Sequence, residues 1–250
     1  MVTFRNAGRL ANYLYECFAA YGYAKKHGLE FTVPNTDRGE WHPVYLRHLI
    51  SQNFNPNLPT ALINEAQHSY HELPFSESWR NMNIVLQGYF QSYRYWDFCI
   101  DEIRELTKFK FEPQDNVCGF HIRRGDFLLY PEKHILCPKS YYEEGLKYVM
   151  DKMEVKSIKI FSDDIDWCKE NFKLYGIEFS EGKTPEEDFQ ELMNCQAIVA
   201  ANSSFSVMAA TLNSHPNRIV VAPHEDVYFH KKENLDTSTM YPPDFIKLKF

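Results

Sequence analysis

An α/β fold built on parallel sheet is what this sequence predicts, and three observations carry the expectation. From Val117 to Ala222 short apolar runs alternate with segments of helical periodicity, a pattern that feeds successive strands into one parallel sheet with helices on both faces. Near the start a well-patterned helix stands between two short strand-like runs. The composition, 44% hydrophobic and 24% charged, lies at the globular average and excludes a disordered or fibrous chain.

Taken in order, Met1 to Phe4 is a short apolar strand, and the segment GRLANYLYECFAAYGYAKKHG, Gly8 to Gly28, is a helix. Leu10, Leu14, Cys17, Phe18, Tyr21 and Ala24 recur there at helical spacing, Lys25 and Lys26 fall in the last turn, and Gly28 stops it. Glu30 to Val33 reads as a strand closed by Pro34, and Asn35 to about Pro74 as loops and short helices. Asn83 to Gln87 is a strand leading into GYFQSYRYW, and Asp97 to Phe109 is a helix. The polar break Glu112 to Asn116 divides the chain into domains 1–112 and 113–250, with the last segment able to pack back on the first. Beyond it come strands Val117 to Ile122, Ser157 to Phe161, Ile177 to Phe179, Ala197 to Ala201 and Arg218 to Ala222. The helices between them are Ser140 to Met153, Ile165 to Tyr175, Glu186 to Cys195 and Val207 to Leu212.

A net charge of −7 opposes broad binding to nucleic acid or to an anionic membrane, so an anionic ligand must meet a focused site. No run reaches the ~20 apolar residues of a membrane helix and no signal peptide opens the chain, which points to a cytoplasmic protein without integral membrane contact. The six cysteines are scattered singly without zinc spacing and read as reduced, mostly buried thiols; His68 and His71 read as surface histidines, and no metal site is expected.

In parallel α/β sheets ligands sit beyond the carboxyl ends of the strands. Three such ends carry distinctive chemistry: HIRRGD, SDD and NSSFS. If the first strand runs through Arg123, alternation puts Arg123 on the face of His121 and makes it, ahead of Arg124, the fork for phosphate oxygens. The plainer reading is that both arginines form structural ion pairs with Asp126 or its neighbours. Asn202, Ser203, Ser204 and Ser206 gather hydroxyls and backbone N–H groups at a helix start, which is an anion site or an ordinary cap. Asp163 can accept the paired N–H groups of a guanine edge while Asp164 caps the next helix. Gly8 to Asn12 is a glycine turn that permits close backbone approach to a ligand.

These residues carry a resemblance. GRLANYLYECFAAYGYAKKHG, GYFQSYRYW, HIRRGDF, IFSDD with Trp167, DFQELMNCQAIVAANSSFS and YPPDFIKL together resemble the alpha-1,2-fucosyltransferases of glycosyltransferase family 11. The resemblance implies a GT-B-like α/β fold, two Rossmann-like domains with parallel sheets facing across a cleft, the N-terminal one on the acceptor side and the C-terminal one binding GDP-fucose. It implies an inverting, metal-independent transfer of fucose to a glycan acceptor, the 2-hydroxyl of a terminal galactose, with no cofactor beyond the donor. Arg123 would then contact the diphosphate, His121 and Asp163 the guanine, and Ser203 to Ser206 the phosphates, with Asp164, Asn202, Gly8 and Asn12 also on the donor side and Arg123, Arg124 and Asp126 as the catalytic set. Asp126, Glu16 and Asp188 are the candidate general bases. Ala11, Tyr13, Val207 and Met208 depart from the family pattern. Transfer to a protein or lipid-linked acceptor, or a GDP-sugar-binding module without catalysis, are the alternatives.

Overall fold

The computed structural model describes residues 1–35, 44–173, 176–230 and 233–250. The chain divides into a first unit, Met1–Phe109 with Ser238–Met240, and a second, Lys110–Thr237 with Tyr241–Phe250. Both are α/β and built on parallel sheet, the fold class that the alternation predicts.

In the first unit, strand β1 (Val2–Phe4) leads into helix α1 (Leu10–His27), followed by β2 (Thr60–Asn64), β3 (Asn83–Gln87) and α2 (Ile100–Thr107). The three strands form a parallel sheet in the order β1-β3-β2, with Val2 opposite Ile84 and Thr60 opposite Asn83. α1 packs on β1 and β3 and buries Leu10, Leu14 and Phe18 beside Val2, Phe4 and Ile84. Each such side chain contributes about 1.5–3 kcal/mol on leaving water. Gly28 ends the helix in the left-handed region, φ 61°, where its N–H closes on Ala24 and Lys25 carbonyls. The expected strand Glu30 to Val33 is reduced to one parallel bridge, Phe31 to Val2. β2 lies inside the stretch expected to hold loops and short helices. The expected helix Asp97 to Phe109 is a 3₁₀ turn, Asp97–Cys99, and then α2.

The second unit runs β4 (Gln114–Ile122), α3 (Gly125–Leu129), α4 (Lys139–Met150), β5 (Ser157–Ser162), α5 (Ile165–Asn171) and β6 (Ile177–Phe179). It continues with α6 (Pro185–Asn194), β7 (Cys195–Val199), α7 (Ser204–Leu212), β8 (Ile219–Pro223) and β9 (Ile246–Leu248). All six strands are parallel in the order β6-β5-β4-β7-β8-β9. Counted within the unit this is 3-2-1-4-5-6, the doubly wound nucleotide-binding order, and its direction reverses between β4 and β7. α4 is pinned at that reversal: the buried Tyr141 hydroxyl donates to the Ala200 carbonyl at 2.7 Å and Tyr142 donates to that of His121 at 3.0 Å. Gly145 permits the fit, because a Cβ there would stand 2.8 Å from Val199 Cγ1.

Several boundaries differ from expectation. β4 starts at Gln114, inside the expected polar break, pairs Gln114 with Cys195, and shifts register before Cys118 around Asn116 at φ 63°. α3 and β9 are additions to the expected elements, α5 stops at Asn171, and residues 174–175 of its expected end lie outside the described residues. α6, started by a Thr184–Glu187 capping box, passes into β7 with no loop between, so β7 begins and ends two residues early. All six cysteines are free thiols; five are buried and Cys137 is half-buried. Burial pushes every one of them above the ordinary thiol range. Among the described residues no helix is long and apolar enough to cross a membrane.

Candidate functional site

The carboxyl ends of β4, β5 and β7 bring the second unit's candidate residues together where the sheet reverses. β4 ends at Ile122, so the alternation reaches His121 and stops one residue short of Arg123. His121 is buried with its ring stacked on Phe205, centroids 4.9 Å apart. Burial, and then the charge of Arg123, push it down to about 3, so it is neutral at physiological pH. Among the described residues its Nδ1 has no hydrogen-bond partner. Leaving a buried polar atom unsatisfied costs about 1–3 kcal/mol, which a ligand group at this atom would recover.

The two arginines that follow are held by three carboxylates. Arg123 pairs through Nη1 with Asp163 and through Nη2 with Asp126, both at 2.7 Å. Arg124 pairs through Nε with Asp164 at 2.9 Å, lies over the Trp167 ring at 3.8 Å, and gives its backbone N–H to Asp163. Asp164 also accepts from the Trp167 N–H and so caps α5. Gly125 lets Asp163 in, since a Cβ there would lie 2.7 Å from its Oδ2. Asp163 thus fixes the guanidinium of Arg123 and the backbone of Arg124 at once. The arrangement contains the structural ion pairs of the plainer reading, and it presents two guanidiniums, each about one-fifth exposed, at the place where a nucleotide binds in such sheets.

At the end of β7 the polar residues divide. Asn202 is buried and its amide clasps its own chain, donating to the Ile135 and Tyr228 carbonyls and accepting from Cys137 Sγ. Ser206 is buried and its hydroxyl returns to the Ala201 and Ser203 carbonyls. Ser203 is the N-cap of α7, extended at φ −137°, and its side chain makes no cap hydrogen bond. It and Ser204 are half-buried at the positive end of a nine-residue helix, where backbone N–H groups point outward. Phe205, the aromatic shelf under His121, is missed by the sequence reading; its only signal there is an aromatic between two serines of NSSFS.

Gly8, Asn12 and Glu16 belong to the first unit. Gly8 has φ 119°, and a Cβ there would meet Asn12 Nδ2 at 2.6 Å, while Asn12 Oδ1 accepts from Gln91. Glu16 is fully buried, receives the Ala7 N–H, and is pushed up to about 9 by its burial. Burial favours the protonated form of Glu16 at neutral pH, which weakens it as a general base. Asp188 accepts the Ser180 hydroxyl at 2.6 Å, and burial raises it. His68 and His71 are half-buried rather than on the surface, with His71 Nδ1 3.1 Å from the Tyr95 hydroxyl. Among the described residues no group of three His, Cys, Asp or Glu side chains is placed to hold a metal ion.

The family model described as "Glycosyl transferase family 11" matches residues 59–241. An alpha-1,2-colitosyltransferase of Escherichia coli is 30% identical over 142 residues, 54% of this chain and 48% of that protein. The galactoside 2-alpha-L-fucosyltransferase Sec1 of Mus musculus is 22% identical over 241 residues, 85% of this chain and 64% of that protein. The chain therefore spans about half the length of the first relative and under two thirds of the second. A crystal structure of POFUT1 in its apo form aligns over 88% of this chain and 97% of that one, with a TM-score of 0.48 and 13% identity. Ala11, Tyr13, Val207 and Met208 are all core side chains, Tyr13 standing edge-on to Phe4. The matched span takes in β2 and β3 of the first unit and every strand of the second but β9, and with that extent the chain belongs to glycosyltransferase family 11.

Proposed function

We propose that this chain transfers L-fucose from GDP-fucose to a hydroxyl of a glycan acceptor, the 2-hydroxyl of a terminal galactose, with inversion at the anomeric carbon. The observation that carries the reading is the juxtaposition, at the reversal of a 3-2-1-4-5-6 sheet, of Arg123, Arg124, the orphaned Nδ1 of His121 and the start of α7. In the reaction the acceptor oxygen bonds to the anomeric carbon while the bond to the diphosphate breaks, the electron pair leaves with GDP, and the hydroxyl proton passes to a base, Asp126 or water. Charge therefore grows on the diphosphate, and donors set in advance around it lower the barrier. Arg123 supplies a two-pronged donor, and α7 adds backbone N–H groups with Ser203 and Ser204. The diphosphate takes the place of one carboxylate on Arg123; Asp126, with 34% of its side chain exposed against 26% for Asp163, is the one that yields. Asp163 stays to orient the guanidinium, and His121 offers its neutral ring nitrogen to the base.

Arginine in this role needs no metal ion, and the six free thiols suit a reducing, cytoplasmic setting. The Escherichia coli relative is named for colitose, which is fucose without its 3-hydroxyl, so a 3-deoxy donor is the second reading. The deciding experiment offers GDP-fucose and its 3-deoxy analogue with galactose-terminated acceptors, and reads product mass and linkage. Release of GDP no faster than the protein-free background with every acceptor would leave a donor-binding module and refute transfer, and release at the same rate with water alone would mark hydrolysis instead.

A further inference from the structure

His134 stands just past the turn that follows α3, half-buried, with its backbone N–H on the Tyr130 carbonyl at 3.1 Å. Its ring lies parallel to that of Phe127, centroids 4.1 Å apart and planes 5° apart, and Phe229 meets it obliquely at 6.3 Å. Phe127 follows Asp126 in the chain, and the Arg123 guanidinium lies 5.9 Å from the centre of its ring. The backbone is fixed on both sides of His134: the Lys133 carbonyl accepts the His230 N–H at 3.0 Å, and the Ile135 carbonyl accepts the Asn202 amide at 2.8 Å. Packing and backbone bonds thus hold the ring beside the Arg123–Asp126 pair.

The ring's own hydrogen-bonding capacity is unspent. Its Nδ1 is buried and has no hydrogen-bond partner among the described residues. Burial holds His134 below the ordinary histidine range, so it is neutral at physiological pH and carries one N–H. Asp126 is the largest of the charges that act on it, ahead of Lys133, Arg123 and Glu132, and the Phe229 segment meets it with an aromatic ring. Asp126 is also the carboxylate that gives up Arg123 to an incoming diphosphate in the reaction proposed above. A carboxylate displaced by a diphosphate is repelled by it and needs a new donor. The imidazole N–H supplies one without adding a cation to the site.

We propose that His134 is a positioning residue: once the diphosphate has displaced Asp126 from Arg123, the His134 Nδ1–H holds the Asp126 carboxylate as the base for the acceptor hydroxyl. The hydroxyl proton passes to Asp126 while the acceptor oxygen bonds to the anomeric carbon and the pair of the breaking bond leaves with GDP; the imidazole gives up no proton. The base role rests on the transferase reading above, whereas the pairing of Asp126 with His134 needs only GDP. The test compares the full chain as wild type, His134→Phe, His134→Asn, Asp126→Asn and the double variant Asp126→Asn/His134→Phe, with thermal melts to establish that each folds. Phenylalanine keeps the stack on Phe127 and removes the donor; asparagine puts an amide N–H at the place of Nδ1. With GDP-fucose and N-acetyllactosamine, His134→Phe is expected to lower kcat roughly tenfold at unchanged GDP affinity, a share of what a positioned base contributes, and His134→Asn to restore most of it. In the Asp126→Asn background the phenylalanine change should cost nothing further. Equal losses in the two backgrounds, or asparagine as slow as phenylalanine, would make His134 a packing residue and overturn the proposal while leaving transfer standing. Histidine NMR titrations with and without GDP read the pairing apart from transfer, the His134 signal being assigned by its absence from His134→Phe. GDP should raise the His134 midpoint more in wild type than in Asp126→Asn, since an approaching carboxylate favours the imidazolium, and an equal rise in both would overturn the pairing. If wild type transfers to no acceptor, the transferase reading fails and the base role with it, and the titration alone decides the pairing.

Discussion

Replacing Arg123 by lysine keeps the charge and removes the fork, and the structure sets the size of the loss. Arg123 spans two carboxylates from different segments, Asp126 in the first turn of α3 and Asp163 just after β5, with separate nitrogens at 2.7 Å each. A single ammonium reaches one of them. With 19% of the side chain exposed, little water is at hand to replace the missing donor. In the proposed reaction the prong released by Asp126 faces the diphosphate while the other stays on Asp163, and losing a donor aimed at developing charge costs about 3–4 kcal/mol, or two to three powers of ten in rate. Among the described residues the Arg124 side chain bonds through Nε to Asp164 and lies over Trp167, both of which an ammonium can imitate. Arg124→Lys is therefore expected to stay within about fivefold of wild type, a difference of roughly 1 kcal/mol. The assay is kcat/KM for GDP-fucose on both variants, with thermal melts to establish that each folds. If Arg124→Lys is the dead variant and Arg123→Lys transfers normally, the guanidinium of Arg123 is only a clamp for Asp163 and the donor reading moves to Arg124.

Activity is expected to survive excess EDTA, because arginine carries the diphosphate charge; complete loss reversed by Mn²⁺ would refute this. GDP should raise the melting temperature well above the shift given by GMP at equal concentration, since the second phosphate meets Arg123 and α7; equal shifts would place those groups elsewhere. Glu16→Gln should flatten the pH dependence of stability. Its folded value near 9 against an ordinary 4.5 means that its contribution is whole below about pH 4.5 and is lost as pH rises toward 9. The loss is about 1.4 kcal/mol per pH unit in wild type, absent in the glutamine variant; denaturant curves at pH 5, 6.5 and 8 that run parallel for the two proteins would contradict the assignment.

The elements legible from sequence are those whose pattern and punctuation agree. α1 has both its periodic apolar face and Gly28, and β3 and β6 have their expected ends. β2 escapes because TALIN sits among prolines and asparagines, with only Ala61 and Ile63 buried and Leu62 turned out. β9 escapes because its sheet position, beside β8, is set by tertiary pairing rather than by an apolar run. At the candidate site, the strand ends name loops that the second unit's sheet brings together, but the polar atoms there are divided by contacts that spacing does not reveal. Asn202 and Ser206 turn back to their own chain, whereas Ser203 does not cap with its side chain. The alternation argument for Arg123 needs one more strand residue than β4 has; what orients Arg123 is Asp163, brought in from the end of β5 past Gly125.

The six free thiols make the chain its own reporter. Because burial holds the five other than Cys137 as the unreactive thiol, an alkylating reagent attacks them only after the surrounding structure opens, and the rate at each of the five counts those openings. Cys17 and Cys99 lie in the first unit and the other four in the second, so mass spectrometry of a timed alkylation reads the two units separately, with no tag and no substitution.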